Sequence, residues 1–205
     1  MPPPTISIAT GDLAPRDAYR LMVSVVVPRP IAWVSSVGVD GTVNLAPFSF
    51  FNGVGDTPPT IMVSIGQRRT GAEKDTLLNL RDTGEFVVNI VDRALAEQMN
   101  LTSGEWPYEV NEFKLAALAS EPSVDVRPPR VAAAPVALEA RVTQIIPVDS
   151  THYTIVLGRV VRYHIREGLI GEDGLVVGTL LNPLARLGGD DYTDVDHAFS
   201  MKRPG

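Results

Sequence analysis

The chain of 205 residues is predicted to be mainly β, an antiparallel β-barrel, closed or nearly closed, with a few helices. Three observations predict this. Short runs rich in β-branched and aromatic residues recur at fairly regular spacing, with hairpin turn signals between them. Two long β segments, Val136 to Val148 and His152 to His164, are joined across Asp149-Ser150-Thr151 and read as an antiparallel ribbon. The long, regularly alternating helices of a doubly wound sheet are missing.

Taken in order, the proline-rich residues 1–14 are expected to form an extended arm. Residues 15–26 read as a first helix with Pro15 near its start, although β-branched Val23 to Val27 lean towards strand. Pro28 and Pro30 end it. Ile31 to Val37 is β-rich, and Asp40-Gly41 is a hairpin turn into Thr42 to Leu45. Pro58-Pro59 marks a loop before the apolar strand Thr60 to Ile65. Residues 75–83 read as a helix with Asp75 as N-cap and Gly84 ending it in the left-handed conformation; Thr70 and Glu73 offer an alternative capping box. Glu85 to Val91 is a strand and Ala94 to Leu101 a second short helix. Residues 102–133, with Pro107, Pro122, Pro128 and Pro129, form an irregular covering excursion. In the ribbon that follows, Glu139, Arg141 and Thr143 share one face and Leu138, Ala140 and Val142 the other. Residues 193–205 are a second arm, and 1–205 is expected to be one domain.

Composition removes several functions. A net charge of -6 with scattered basic residues argues against a nucleic-acid partner, which demands a basic face. The absence of cysteine excludes disulfides, thiolate nucleophiles and cysteine zinc sites. The opening MPPPTISIATGDL lacks a secretory pattern, and the longest apolar runs, Leu21 to Val27 and Leu175 to Leu181, are too short to span a bilayer. A cytoplasmic protein without a membrane partner is the simplest expectation.

Motifs remove more. Neither a G-x-x-x-x-G-K-[ST] loop nor a G-x-S-x-G elbow is present. Gly53-Val54-Gly55-Asp56-Thr57-Pro58 puts proline where a dinucleotide fingerprint needs its third glycine, so Gly53 and Gly55 read as loop residues. Asp190, Asp191, Asp194, Asp196 and His197 fit no EF-hand spacing and read as an exposed acidic loop, with no metal expected. His152 and His164 read as surface or satisfied core residues.

The positive signal is Asn44-Leu45-Ala46-Pro47-Phe48-Ser49, an apolar and hydroxyl-rich corner suited to a flat aromatic ligand with a polar rim. Pro47 removes a ladder donor and is expected to end regular pairing, freeing backbone groups to meet a ligand. Ser35, Ser36 and Ser64 lie on neighbouring β segments. Lys74-Asp75-Thr76 sets a cation and a hydroxyl at a helix start, a chemistry suited to phosphate. A planar-ring site and a phosphate site on one small chain suggest flavin mononucleotide (FMN).

The strings VVPRPIAWVSSVGVDGTVNLAPFSFFNGVGDTPP and KDTLLNLRDTGEFVVNIV make the chain similar to the flavin reductase-like family of FMN-binding split β-barrel proteins. The resemblance runs from about Tyr19 to Tyr192, through Glu112-Phe113, Ser123-Val124, Val131 to Leu138 and Leu184 to Gly189. It departs at Ala116-Ala117-Leu118-Ala119, where the family tends to carry a glycine and then a threonine. The resemblance implies an antiparallel, Greek-key split barrel and a homodimer with FMN near the subunit interface. NAD(P)H would donate a hydride to flavin N5, and electrons would pass to free flavin, a monooxygenase or another acceptor. Residue by residue, Asn44, Leu45, Ala46, Pro47, Phe48 and Ser49 would line the ring and ribityl chain. Ser35, Ser36, Lys74 and Thr76 would hold ribityl and phosphate groups, with Ser64, Gly66 and Arg68 close by. Arg186, Gly188 and Tyr192 would close the site.

The resulting expectation is an NAD(P)H:FMN oxidoreductase whose chemistry is flavin-centred, with no side-chain nucleophile. Backbone amides around Ala46 to Ser49, or a nearby cation, are expected to stabilise negative charge on the reduced ring. The alternatives are an FMN-binding electron carrier or flavin store without reductase activity, and an interaction module that has lost the cofactor. The intact Asn44 to Ser49 and Lys74 to Thr76 segments argue against the last.

Overall fold

The computed structural model describes residues 2–204. Seven strands form one antiparallel sheet: β1 (Ala32–Val37), β2 (Val43–Phe48), β3 (Phe51–Asp56), β4 (Pro59–Gly66), β5 (Glu85–Ile90), β6 (Val136–Pro147) and β7 (Tyr153–Ile165). Their spatial order is β2-β1-β5-β6-β7-β4-β3. The two edge strands, β2 and β3, are consecutive in the chain and are separated only by Ser49 and Phe50. Covalent connection rather than a ladder therefore links the two edges, as the word "split" implies. The fold is the mainly β split-barrel type expected.

The β6–β7 ribbon is borne out, with register shifts at Leu157/Gly158 and between Val160 and Arg162 that let the long strands bend around the core. Gly158 allows the bend to close: a Cβ there would stand 2.4 Å from Cζ of Phe86, a fully buried ring. Strand alternation separates two main cores, with a small third cluster of Val87, Val126 and Ala137. Ala32, Val34, Phe48, Ile61, Val63, Phe86, Val88 and Val156 pack inside the barrel. Helix α2 (Asp75–Thr83) adds Leu77 and Leu80 to that core. On the other side of β1 and β2, Trp33 and Leu45 pack with Met99 of α3 (Ala96–Leu101), Phe113 of α4 (Glu112–Leu115) and Leu184. The excursion of residues 102–133 is thus a lid on the outer core, largely irregular as expected but carrying α4 and a short antiparallel ladder of Ser120–Glu121 with Arg130–Val131.

Helix α1 spans Pro15–Val25, and its β-branched end stays helical up to Val25. Arg29, only 7% exposed, donates to the carbonyls of Val23 (2.5 Å), Val26 (2.8 Å) and Leu187 (2.8 Å). It thereby stops the helix and ties it to the carboxyl-terminal segment. Glu139, fully buried on β6, accepts the amides of Val124, Asp125 and Val126 and meets His164 Nε2 at 2.5 Å. Burial alone would raise its carboxyl; the Val124 amide, His164 and the Asp125 amide outweigh that and hold it below the usual range. His164 is therefore a satisfied, half-buried partner.

Four local expectations are corrected. Gly53 and Gly55 lie in strand β3, not a loop, with the pairing register shifted between them. Pro47 does not end pairing: β2 continues through Phe48, with Pro47 opposite Trp33. It is tolerated because β2 is an edge strand and the nitrogen at this position faces away from β1. The N-cap of α2 is Lys74, not Asp75, whose carboxylate is held by Arg68. The alternative capping box is likewise unused, since Glu73 pairs with Arg81. Gly84 ends α2 at φ 70°, as expected. No described helix is long and apolar enough to cross a membrane.

Candidate functional site

A three-lobed cleft opens along the outer side of β2, and Pro47 borders every lobe. The first lobe, about 400 Å³, lies between Asn44, Ala46, the start of α2 and the loop Thr102 to Trp106, with Arg68 and Glu112 on its walls. The second, about 480 Å³, runs from Pro47-Phe48-Ser49 past Ser64, Gly66 and Gln67 to Tyr19 and Tyr153, with Lys74 shared with the first. The third, about 320 Å³, reaches Ile31, Met99, Arg186 and Tyr192.

The floor of the first lobe is a closed hydroxyl–amide network. Asn44 Nδ2 donates to Thr76 Oγ1 (2.9 Å) and Ser36 Oγ (3.2 Å), and Asn79 Nδ2 donates to Ser36 Oγ (3.1 Å). All four residues are buried, so each group needs its partner.

The wall carries charge. Arg68 spans Asp75 and the Trp106 carbonyl (3.1 Å), neutralising the Asp75 carboxylate. Lys74 has no ion-pair partner among the described residues, and its Nζ stands 5.5 Å from the centroid of the Phe48 ring. Burial lowers its pKa, Glu105 works the other way, and Arg68 adds to the lowering. Lys74 caps α2 without a side-chain hydrogen bond, so the first amides of the helix keep donors for an anion. Glu112 is buried with its Oε2 on the Leu45 amide (3.0 Å); desolvation raises its pKa, with that amide opposing. In the second lobe, burial and then neighbouring Tyr19 push the Tyr153 phenol up to about 12.

The cleft gathers Asn44, Ala46, Pro47, Phe48, Ser49, Ser64, Gly66, Arg68, Lys74, Thr76, Arg186 and Tyr192. Four expected residues stand elsewhere. Ser35 points to the opposite side of β1 from Ser36 and donates to the Pro129 carbonyl (2.5 Å). Ser36 lies under the floor, bonded to two asparagines. Leu45 is wholly buried in the outer core. Gly188 lines none of the three lobes: a Cβ there would stand 3.1 Å from the Ser24 backbone of α1, so it serves helix packing.

The expected row of free amides is corrected too. The Leu45 amide, which faces out of the ladder, is taken by Glu112, and Pro47 has none. Alternation commits Ala46 and Phe48 to Val34 and Ala32. Of the expected stretch Ala46 to Ser49 only the Ser49 amide has no partner among the described residues, and it faces the cleft alongside the cations of the wall.

Tyr19, Gln67, Met99, Trp106, Glu112 and Tyr153 were not singled out as site residues. Glu112 lay within a string that resembles the family, and Trp106 is one of only two tryptophans, set in a proline-rich loop. The others reach the cleft only through tertiary packing.

A cation at a helix start beside a slot with apolar walls fits a planar ring bearing a phosphate. The family model described as a flavin reductase like domain matches residues 22–184. An uncharacterized protein of Aquifex aeolicus is 41% identical over 174 residues, covering 85% of this chain and 88% of the relative. Among solved structures, nitrilotriacetate monooxygenase component B from Bacillus cereus superposes with a TM-score of 0.91 at 34% identity, covering 98% of this chain and 100% of that one. The 2-nitrobenzoate 2-nitroreductase of Pseudomonas fluorescens superposes at 0.87, also at 34% identity, covering 97% and 96%.

Proposed function

We propose, from the premise that the chain belongs to the flavin reductase-like family, that it is an FMN-dependent oxidoreductase using NAD(P)H. The observation that carries this reading is Lys74: an ammonium without an ionic partner among the described residues, partly desolvated, at a helix start with no side-chain cap and beside the apolar wall of Pro47 and Phe48. A terminal phosphate monoester, with its near-double negative charge, suits it better than the singly charged diester phosphates of a dinucleotide flavin.

In this reading Lys74 and the first amides of α2 hold the phosphate, and Ser64 and Gly66 flank it. Asn44 and Thr76 set the polar floor, while Ala46, Pro47 and Phe48 give the ring an apolar wall. FMN, when bound, supplies a ring that takes up two electrons with a proton and passes them on. The chain's own part is to bind, orient and exclude water. The cations on the wall, Lys74 and Arg68, oppose the negative charge that reduction brings.

Exposed Leu21, Met22, Val25 and Val26 on and just after α1, next to Tyr19 at the cleft, support a homodimer that covers the flavin. The likeness to a monooxygenase component supports a separate oxygenase as one acceptor of the electrons. The test is a visible absorption spectrum of the purified protein reconstituted with FMN, followed by anaerobic NADH or NADPH. A flavin spectrum that bleaches is the expected result. A spectrum that persists with both nucleotides would favour a carrier or storage role, and failure to bind FMN would remove the reading.

A further inference from the structure

We propose that the third lobe, at Arg186 and Tyr192, is a subsite for the carboxylate of a small aromatic ligand, which would lie in the same cleft as the flavin. The placement beside a flavin rests on the function proposed above; the carboxylate preference itself does not.

The Arg186 guanidinium stacks 4.6 Å from the centroid of the Tyr192 ring. It is held there by the Tyr192 hydroxyl and the Gly189 carbonyl (2.6 Å). Those two bonds fix the plane of the group but carry no formal charge. The nearest carboxylate, Asp190, lies 3.9 Å away and is fully exposed, so it leaves the cation in the lobe poorly neutralised. Arg29 sits directly across the register from Arg186, buried and with no carboxylate partner among the described residues. Its hydrogen bonds all go to carbonyls, and its Nε has no partner. Two neighbouring guanidinium groups thus have no buried carboxylate among the described residues to balance their charge.

The rest of the lobe defines the ligand's shape. Ile31, Phe48 and Met99 form apolar walls, with the Ser49 and Ser103 hydroxyls near them. Apolar walls with a few hydroxyls at their edge suit one face of a small substituted ring. Lys74 and Arg68 line the other lobes but not this one, so a phosphate held by Lys74 leaves Arg186 available. A planar fork that is already oriented matches a carboxylate through two parallel N–H···O bonds, a geometry a lysine would not give.

The experiment titrates benzoate and its neutral isostere benzamide into FMN-saturated protein by calorimetry, and into apoprotein if FMN does not bind. Benzoate is expected to bind at least about tenfold more tightly than benzamide, and Arg186→Gln to abolish that preference while benzamide binding is retained. Arg186→Lys, which keeps the charge without the fork, should recover only part of it. A thermal melt of each variant separates loss of the subsite from loss of the fold. Equal binding of the two probes by the unaltered protein, or no binding of either, overturns the proposal. So does a variant that keeps the benzoate preference but loses FMN or NADH affinity, because Arg186 would then serve the cofactor or the dinucleotide. Failure of FMN to bind, with the benzoate preference intact on apoprotein, would sink the flavin reading and leave the carboxylate subsite standing.

Discussion

Asn44 donates to Thr76 at 2.9 Å, fastening edge strand β2 to the first turn of α2 directly beneath the cleft. An edge strand lacks a ladder on one side, so something else must hold it in place. Here a buried amide does so, and the same amide reaches Ser36 of β1. The strand proposed to wall the ring and the helix proposed to hold the phosphate are therefore one mechanical unit.

Asn44→Ala should remove both bonds and leave the buried Thr76 hydroxyl without its donor. A loss of roughly 1 to 3 kcal/mol is expected, read as a lower urea midpoint at unchanged slope. FMN affinity should fall with it, since β2 and α2 would no longer be held in register. An unaltered midpoint would show that the network is not needed to hold the two elements.

Lys74→Ala tests the phosphate assignment. FMN binding, followed by quenching of flavin fluorescence, should weaken by about 1 to 3 kcal/mol for a lost charge-assisted hydrogen bond. Riboflavin, which has the ring and ribityl chain without the phosphate, should bind the variant and the unaltered protein equally. An equal loss for both ligands would move Lys74 from the phosphate to the ring, consistent with its place over Phe48.

The way the chain encodes this site explains what was legible. Period-two patterning and turn residues announced β4, β5 and the β6–β7 ribbon, because each is a local signal. Lys74-Asp75-Thr76 was legible as a charged helix start, though the cap slipped by one residue because Arg68 claims the Asp75 side chain. Strand β3 was hidden by Gly53 and Gly55, which weaken any strand signal and are tolerated at an edge. Ser35 and Ser36 look equivalent in a list, yet adjacent strand positions face opposite sides, and neither lines the cleft. Glu112, Tyr19 and Tyr153 come from three distant stretches, and only packing brings them to one opening.

Ala117 gives a prediction about stability alone. It adopts φ 52°, in the left-handed region, just after α4, within the segment Ala116 to Ala119 where the family resemblance leads one to expect a glycine and then a threonine. A Cβ there costs about 1 to 2 kcal/mol, and glycine returns part of that gain through its looser unfolded chain. Ala117→Gly should therefore raise stability by up to about 1 kcal/mol in urea or thermal unfolding. A destabilised variant would mean that the Ala117 methyl packs to more effect than its backbone is strained.

Glu112 supplies the pH dependence. Its burial raises the carboxyl pKa above that of the unfolded chain, with the Leu45 amide only partly opposing. In the window between the unfolded and folded values the native state holds a proton that the unfolded state has released. Stability from this group is then fully present below the unfolded pKa and declines as pH rises through the folded one. Glu112→Gln keeps an acceptor for the Leu45 amide but cannot ionise. Urea unfolding from about pH 4 to about pH 8 should therefore show the variant gaining on the unaltered protein as pH rises, with the two closest at the acid end. FMN affinity should follow the same course, because an ionised Glu112 shares the lobe with Asp75 and opposes an incoming phosphate. A stability difference that is the same at every pH would mean that Glu112 ionises as an ordinary carboxylate and acts only as a strap for β2.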